Sequence, residues 1–247
     1  MEITSVNNEL VKNTVKLQQK KYRNVEKKFL LEGYKAIREA FDADITLEHV
    51  FVSKNKIKEY EFCKDLLIEA SEPVLKKIST TDSTPEAVAI GIQKIFDIKD
   101  LKNVQKVVLL ENIKDSGNLG TILRSAVAFG ADAVVLFGDC VDIYNPKTVR
   151  ASVGNLWKLP IVQIKDIETF NKTFKNFNKI ATLPRSKNLL KNYKINLPAV
   201  VMFGSEADGL TDELIKLSDD SVKIEMSPMV ESLNLATSVS VILYELF

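Results

Sequence analysis

Histidine is almost missing from this 247-residue chain, with His49 the only one. A Ser-His-Asp triad, a histidine dyad or a histidine-rich metal site therefore has next to nothing to work with. Only two cysteines occur, Cys63 and Cys140, far apart in sequence. That spacing argues against a disulfide framework and against a cysteine zinc site, so no metal is expected. No stretch approaches the ~18 uninterrupted apolar residues of a membrane-spanning helix. The opening residues MEITSVNNELVKN lack the apolar region of a secretory leader, which points to the cytoplasm and away from any membrane. Charge of one sign is missing too: 34 basic residues face 33 acidic ones. The overall field thus carries no information about a polyanionic partner. There is no fixed-period repeat and no low-complexity tract.

What is present is ordinary globular material, 45% hydrophobic and 27% charged, enough for one large domain or two modest ones. The basic residues are mostly lysine, with five arginines: Arg23, Arg38, Arg124, Arg150 and Arg185. In so lysine-rich a chain, each arginine raises the question of whether a planar, multi-donor group is needed. His49, in TLEHVFVS, reads as a structural or surface residue at the mouth of a strand.

The N-terminal part predicts a helix from about 7 to 19, with Ser5 or Asn7 as cap and Leu10, Val11, Thr14, Val15 and Leu17 as its apolar stripe. Lys12, Lys16, Lys20, Lys21, Arg23, Lys27 and Lys28 make residues 1–30 locally basic. They form either a solvated helix face or an arm that contacts phosphates. A helix near 34–41, a strand at HVFVS, a helix over 59–70, and PVLKKIST, TPEAV and AVAIGIQ complete a small α/β domain over 1–95. The charged, patternless IFDIKDLKNVQ marks the boundary.

From 105 to 247 the rhythm becomes strand–helix alternation. KVVLLENI, AVVLF, LPIVQI, KIATLP, AVVMFG and VKIEM are short branched-apolar runs of the kind that fill buried parallel strands. Helices are expected at 118–129, 146–155, 167–177 and 212–217, with a last one from about Ser232 onward. The fold class is α/β with a largely parallel sheet. Three strand-exit loops are unusually polar and glycine-marked: ENIKDSGNLGTILRSAVAFGAD, VMFGSEADGL and IEMSPMVESLNLATSV. Ligands of parallel sheets bind at strand exits. A phosphate loop of Walker type fails because Leu210 stands where lysine is required, and GNLG supplies only part of a dinucleotide fingerprint.

These three loops resemble, in order and spacing, the motifs of the SpoU (TrmH-type) RNA ribose 2′-O-methyltransferases of the SPOUT superfamily. The first is matched by Asn112, Asp115, Gly117, Asn118, Gly120, Arg124, Ala126, Phe129 and Gly130, with Ser116 in place of proline. Gly204, Glu206, Gly209 and Leu210 match the second, and Ile224, Met226, Ser232, Leu233 and Asn234 the third. Glu225 and Pro228 depart from the third pattern, which bears on the path of that loop. RASVGNLWKLPIV resembles the family's connecting segment and residues 1–95 its RNA-binding module, so the resemblance spans the chain.

The resemblance implies methyl transfer from S-adenosylmethionine to a ribose 2′-hydroxyl, a reaction needing no metal and no covalent intermediate. It implies a trefoil knot in the C-terminal sheet, a homodimer, and rRNA as substrate, 23S rRNA foremost. A tRNA substrate, or a non-catalytic RNA-binding or ribosome-assembly protein on the same fold, are the alternatives. Arg124 is implied to fix a phosphate and polarise the hydroxyl. Asn118 caps its helix or orients RNA or Glu206, and Glu206 orders the loops. Ser232 and Asn234 serve the site or cap the last helix. The backbone at Gly204, Ile224 and Leu233 would cradle the adenosine, with Phe203, Met226 and Thr182 nearby. Lys12, Lys20, Lys21 and Arg23 would contact RNA.

Overall fold

The computed structural model describes residues 1–247. In chain order the N-terminal elements are β1 (Glu2–Ile3), α1 (Glu9–Lys16), α2 (Lys20–Glu26), β2 (Lys28–Glu32), α3 (Tyr34–Asp42), β3 (Leu47–Val52), β4 (Leu67–Ala70), α4 (Glu72–Ile78) and β5 (Ala87–Ile92). There follow β6 (Lys106–Glu111), α5 (Ser116–Ala128), β7 (Ala133–Phe137), α6 (Pro146–Ser152), β8 (Ile161–Ile164) and α7 (Ile167–Thr173). The chain ends with β9 (Asn178–Thr182), β10 (Ala199–Phe203), α8 (Asp212–Leu217), β11 (Asp220–Val222) and α9 (Leu235–Leu246). No helix is long and apolar enough to cross a membrane.

Two compact units result. One comprises Met1–Lys94 with Asp142–Trp157, the other Ile95–Val141 with Lys158–Phe247. The charged segment 95–105 opens the second unit. Residues 142–157, however, sit within the sequence of the second domain but pack into the first unit.

The first unit carries a mixed five-stranded sheet in the order β1-β4-β3-β5-β2. The helix expected over 59–70 is not there. Lys54–Leu66 forms 3-10 turns broken at Tyr60 and Cys63, and Leu67–Ala70 is strand β4, parallel to β3. The pattern of buried and half-buried residues along β4 alternates, the period of two of a strand, and outweighs the helical look of the sequence before it. The first helix is shorter than expected. Its cap is Asn8, whose side chain accepts the Leu10 N–H at 2.9 Å, rather than Ser5 or Asn7.

Segment 142–157 is bolted in by two arginines. Arg23 is 2% exposed and donates to Asp142 at 2.9 and 2.7 Å, while its other nitrogen reaches the carbonyls of Leu17 and Gln18. Arg150 pairs with the buried Glu32 and donates to Thr80 at 2.7 Å. Arg23 is therefore a structural ion pair and not an RNA contact: four of its five N–H donors are committed and it is out of solvent. The Tyr144 hydroxyl donates to the Lys94 carbonyl at 2.6 Å, and its ring lies 4.7 Å from that of Phe29.

The second unit holds a six-stranded sheet, β11-β9-β10-β6-β7-β8, parallel throughout. Every residue of β7 (AVVLF) and β10 (AVVMF) is buried, as two covered sheet faces require. The third motif's strand is only Asp220–Val222, so Ile224 and Met226 lie beyond it, in a loop. Being parallel, all six strands deliver their carboxyl ends to one edge, and the polar loops emerge there.

Candidate functional site

The first loop leaves β6 through a turn at Asn112 in the left-handed region (φ 54°). The Asn112 side-chain oxygen accepts the Asp139 N–H at 2.9 Å. It occupies the space beside Gly138, where any Cβ would come within 2.5 Å of that oxygen. Asp115 then caps α5, accepting the Asn118 N–H at 2.7 Å. These bonds place Asn118 in the first turn of α5.

The second loop is a tight turn after β10. Ser205 and Gly209 exchange backbone hydrogen bonds of 3.1 and 3.0 Å. A Cβ on Gly204 would lie 1.8 Å from the Gly209 carbonyl carbon, so only glycine allows this closure. Below the turn, Glu111 at the end of β6 is 2% exposed and accepts both the N–H and the hydroxyl of Thr211 at 2.8 Å. Sequence reasoning missed Glu111. Its one signal is a carboxylate ending an otherwise apolar strand.

The third loop runs from β11 to α9. Asn234 caps α9, accepting from the Ala236 N–H at 2.9 Å and the Thr237 N–H at 3.4 Å. Ser232 is exposed and does not cap the helix, which starts three residues later than expected.

The three loops meet at Asn118. Its amide nitrogen donates to Glu206 at 2.6 Å, and its amide oxygen accepts from the Asn234 side chain at 3.1 Å. Because Asn234 uses its oxygen on the helix N–H groups and its nitrogen on Asn118, both amide orientations follow from the network. Asn118, Glu206 and Asn234 thus form one relay across the strand exits.

Around it, Thr182 at the end of β9 donates its hydroxyl to the Met202 carbonyl at 2.8 Å. Phe203 is 1% exposed, so its side chain belongs to the core and only its backbone reaches the edge. Ile224 and Met226 are half-buried, and Ile224 follows Lys223, whose N–H donates to the Asn188 carbonyl at 3.0 Å. Met229, Val230 and Leu233 expose large apolar side chains in the same loop, Met229 to 90%. Loops 203–210 and 224–234 hold Glu206, Asp208, Glu225 and Glu231 but no lysine or arginine. Glu225 is paired with Lys191 from outside these loops, but apolar side chains, strand-exit backbone groups and the remaining carboxylates suit an adenosyl sulfonium, which carries positive charge, better than a phosphate.

Arg124 stands apart from the relay. It is exposed on the face of α5 that also shows Thr121 and Ala128, and no ion pair in the chain involves it. Six residues beyond Asn118, it is ~9 Å further along the helix axis. Alongside, α9 packs on α5 through Ser125 and Ser240 hydroxyls 2.7 Å apart and through the Phe129 and Tyr244 rings. Val241 and Tyr244 of α9 are exposed, Tyr244 to 73%. In the other unit Lys12, Lys20 and Lys21 are exposed on α1 and α2, with Lys12 4.0 Å from Glu9 and Lys21 5.8 Å from the centre of the Tyr22 ring.

The burial of both thiols keeps them out of any chemistry. Cys63 is pushed up to about 11 by desolvation, and Cys140 is raised for the same reason. No group of acidic, cysteine or histidine residues able to hold a metal ion is present among the described residues.

Comparison with known proteins bears on this geometry directly. Residues 105–244 match the SpoU rRNA Methylase family, and residues 8–89 match the MRM3-like substrate binding domain. An uncharacterised tRNA/rRNA methyltransferase of Synechocystis is 33% identical, over 98% of this chain and 92% of its own length. The 23S rRNA (guanosine(2553)-2′-O)-methyltransferase RlmP of Bacillus subtilis is 26% identical, over 99% of this chain and 98% of its own. Among solved structures, the AdoMet-bound rRNA methyltransferase of Sinorhizobium meliloti superposes with a TM-score of 0.90 at 28% identity, covering 99% of this chain and 96% of that one. The chain belongs to the SpoU methylase family, and S-adenosylmethionine is its cofactor.

Proposed function

We propose that the protein methylates a ribose 2′-hydroxyl of 23S rRNA, in the cytoplasm, as a homodimer with a knotted C-terminal sheet. The single observation carrying this reading is the Asn118–Glu206–Asn234 relay, which ties together the three strand-exit loops that bear the family's motifs. The 23S rRNA substrate rests on relatives named for that reaction.

S-adenosylmethionine supplies an activated methyl: the S–CH3 bond breaks as an O–CH3 bond forms, and the 2′-hydroxyl proton leaves to an acceptor. The chain's own residues have to align the hydroxyl and neutralise charge nearby. The backbone at Gly204, Ile224 and Leu233, with Thr182, Phe203 and Met226, holds the adenosine. Glu206 and Asn234, through Asn118, keep the loops at their spacing, and Ser232 presents its hydroxyl at the loop's edge. Arg124 grips an RNA phosphate beside the ribose and polarises the hydroxyl. Lys12, Lys20 and Lys21 contact phosphates of the RNA.

Two features support a dimer: Arg124 is exposed and makes no bond to its own chain's relay, and the adjoining α9 face exposes Val241 and Tyr244. On this reading Arg124 serves the partner's cofactor. Arg124→Ala is expected to bind S-adenosylmethionine as wild type does and to transfer methyl to rRNA about 10²-fold more slowly, the scale of a positioned proton-transfer group. Mixed dimers of Arg124→Ala and Asn234→Ala chains should regain activity, since one intact composite site remains. Full activity in Arg124→Ala would refute the assignment.

A further inference from the structure

The lone histidine lines a pocket of about 280 Å³ in the first unit, between α1, α2 and the sheet. Its floor is apolar: Leu17 and Ile90 are each 3% exposed, and the Thr14 hydroxyl is spent on the Leu10 carbonyl at 2.8 Å. Tyr22 and His49, both half-buried, are the aromatic residues of its lining. The polar lining carries Lys16 and Lys28 against Glu26 and Glu48, so its charges cancel. Lys28 and Glu48 are paired at 2.7 Å, and Lys16 donates to the Asn13 oxygen at 2.8 Å, leaving the Asn13 N–H groups uncommitted.

A neutral pocket does not select a phosphate or a metal ion. It suits a flat, uncharged group with apolar faces and a hydrogen-bonding edge. Asn13 N–H groups, a carboxylate and either nitrogen of His49 can meet such an edge. Lys12, Lys20 and Lys21, none of them in the lining, are exposed on the same two helices. Base inside and phosphates outside is how proteins take single-stranded RNA, and the volume is near the lower end of the ~300–1,000 Å³ range of ligand pockets.

We propose that this pocket receives one unstacked nucleobase of the RNA, stacked on Tyr22 and read at its edge by Asn13 and His49. The proposal rests on the reading of RNA as substrate and adds the feature recognised: an unpaired nucleotide rather than a duplex.

Because the chain has one imidazole, its NMR signals report on this pocket alone. The intact protein is titrated with a mixed-sequence single-stranded oligoribonucleotide, and separately with the same strand in a perfect duplex. The proposal expects the His49 signals to shift with the single strand and stay in place with the duplex. Tyr22→Ala should remove the shift and weaken single-strand binding by about tenfold, the loss of one base–aromatic stack. Tyr22→Phe should restore both, which shows that the ring and not folding is at issue. Replacing Lys20 and Lys21 by alanine should weaken binding yet leave the saturated shift unchanged. Unmoved His49 signals while RNA binds, an equal shift with duplex, or a shift retained in Tyr22→Ala would each overturn the proposal. Neither cofactor nor methyl transfer enters this readout. A protein that methylates rRNA without moving His49 sinks the pocket alone, and one that moves His49 without methylating rRNA sinks the substrate reading alone.

Discussion

Asn118 and Glu206, 88 residues apart in sequence, share a 2.6 Å hydrogen bond in which the asparagine amide donates to the carboxylate. The opposite end of the same amide accepts from Asn234. A single side chain on α5 therefore bridges the loops after β10 and β11.

Asn118→Asp turns the donor facing Glu206 into a second carboxylate and should push the loops apart. Affinity for S-adenosylmethionine is expected to fall by about tenfold or more, given the ~1.5–3 kcal/mol of a hydrogen bond to a charged group. The melting temperature should hardly move, since Glu206 and Asn234 are exposed. Calorimetric titration of both proteins decides it, and unchanged affinity would contradict the relay's role.

Gly204→Ala places a methyl 1.8 Å from the Gly209 carbonyl carbon. The contact is with backbone, so no side chain can swing aside. Overpacking of this kind costs ~1–3 kcal/mol, and the turn should open. Lower denaturant midpoint together with lost cofactor binding is the expected pair of results. Retained binding would show that the turn need not close.

The arginine and lysines of the basic N-terminal stretch should behave oppositely. Arg23→Ala strands Asp142, which is 9% exposed, and should destabilise the fold by ~3–5 kcal/mol, the range for removing one partner of a buried pair. Lys20→Ala with Lys21→Ala should leave stability within ~0.5 kcal/mol, as for exposed sites. The lysine pair should instead flatten the salt dependence of RNA binding. Denaturation curves and binding at several salt concentrations separate the two effects.

Both thiols should resist alkylation in the folded protein, being buried with raised pKa values. For Cys63 the folded value near 11 lies above the ordinary 9.0. Its preference for the folded state is therefore complete below pH 9 and is lost as the pH rises toward about 11. Tyr193, pushed up to about 12 by burial, adds to the same trend. Stability measured from pH 8 upward should decline, and a rise would contradict this burial.

The parallel sheet is readable from sequence because strands such as AVVLF are buried on both faces and so are apolar without interruption. Strand β4 is not, because LLIEA follows a charged run of helical appearance and becomes a strand only by pairing with β1 and β3. Arg23 reads as a surface cation because its partner, Asp142, lies 119 residues away. Glu111 escapes notice for the same reason, its partner Thr211 being 100 residues distant. Asn118, Glu206 and Asn234 are each visible through motif resemblance. That they bond to one another is a property of the folded edge, where strands far apart in sequence end side by side.

The central claim is tested most directly by incubating the protein with methyl-labelled S-adenosylmethionine and, separately, unmodified 23S rRNA, small-subunit rRNA and tRNA. The labelled nucleoside recovered from each pool is then identified. The account predicts label in 23S rRNA alone, recovered as a 2′-O-methylated nucleoside. Label on a base, or in tRNA with none in 23S rRNA, would contradict it.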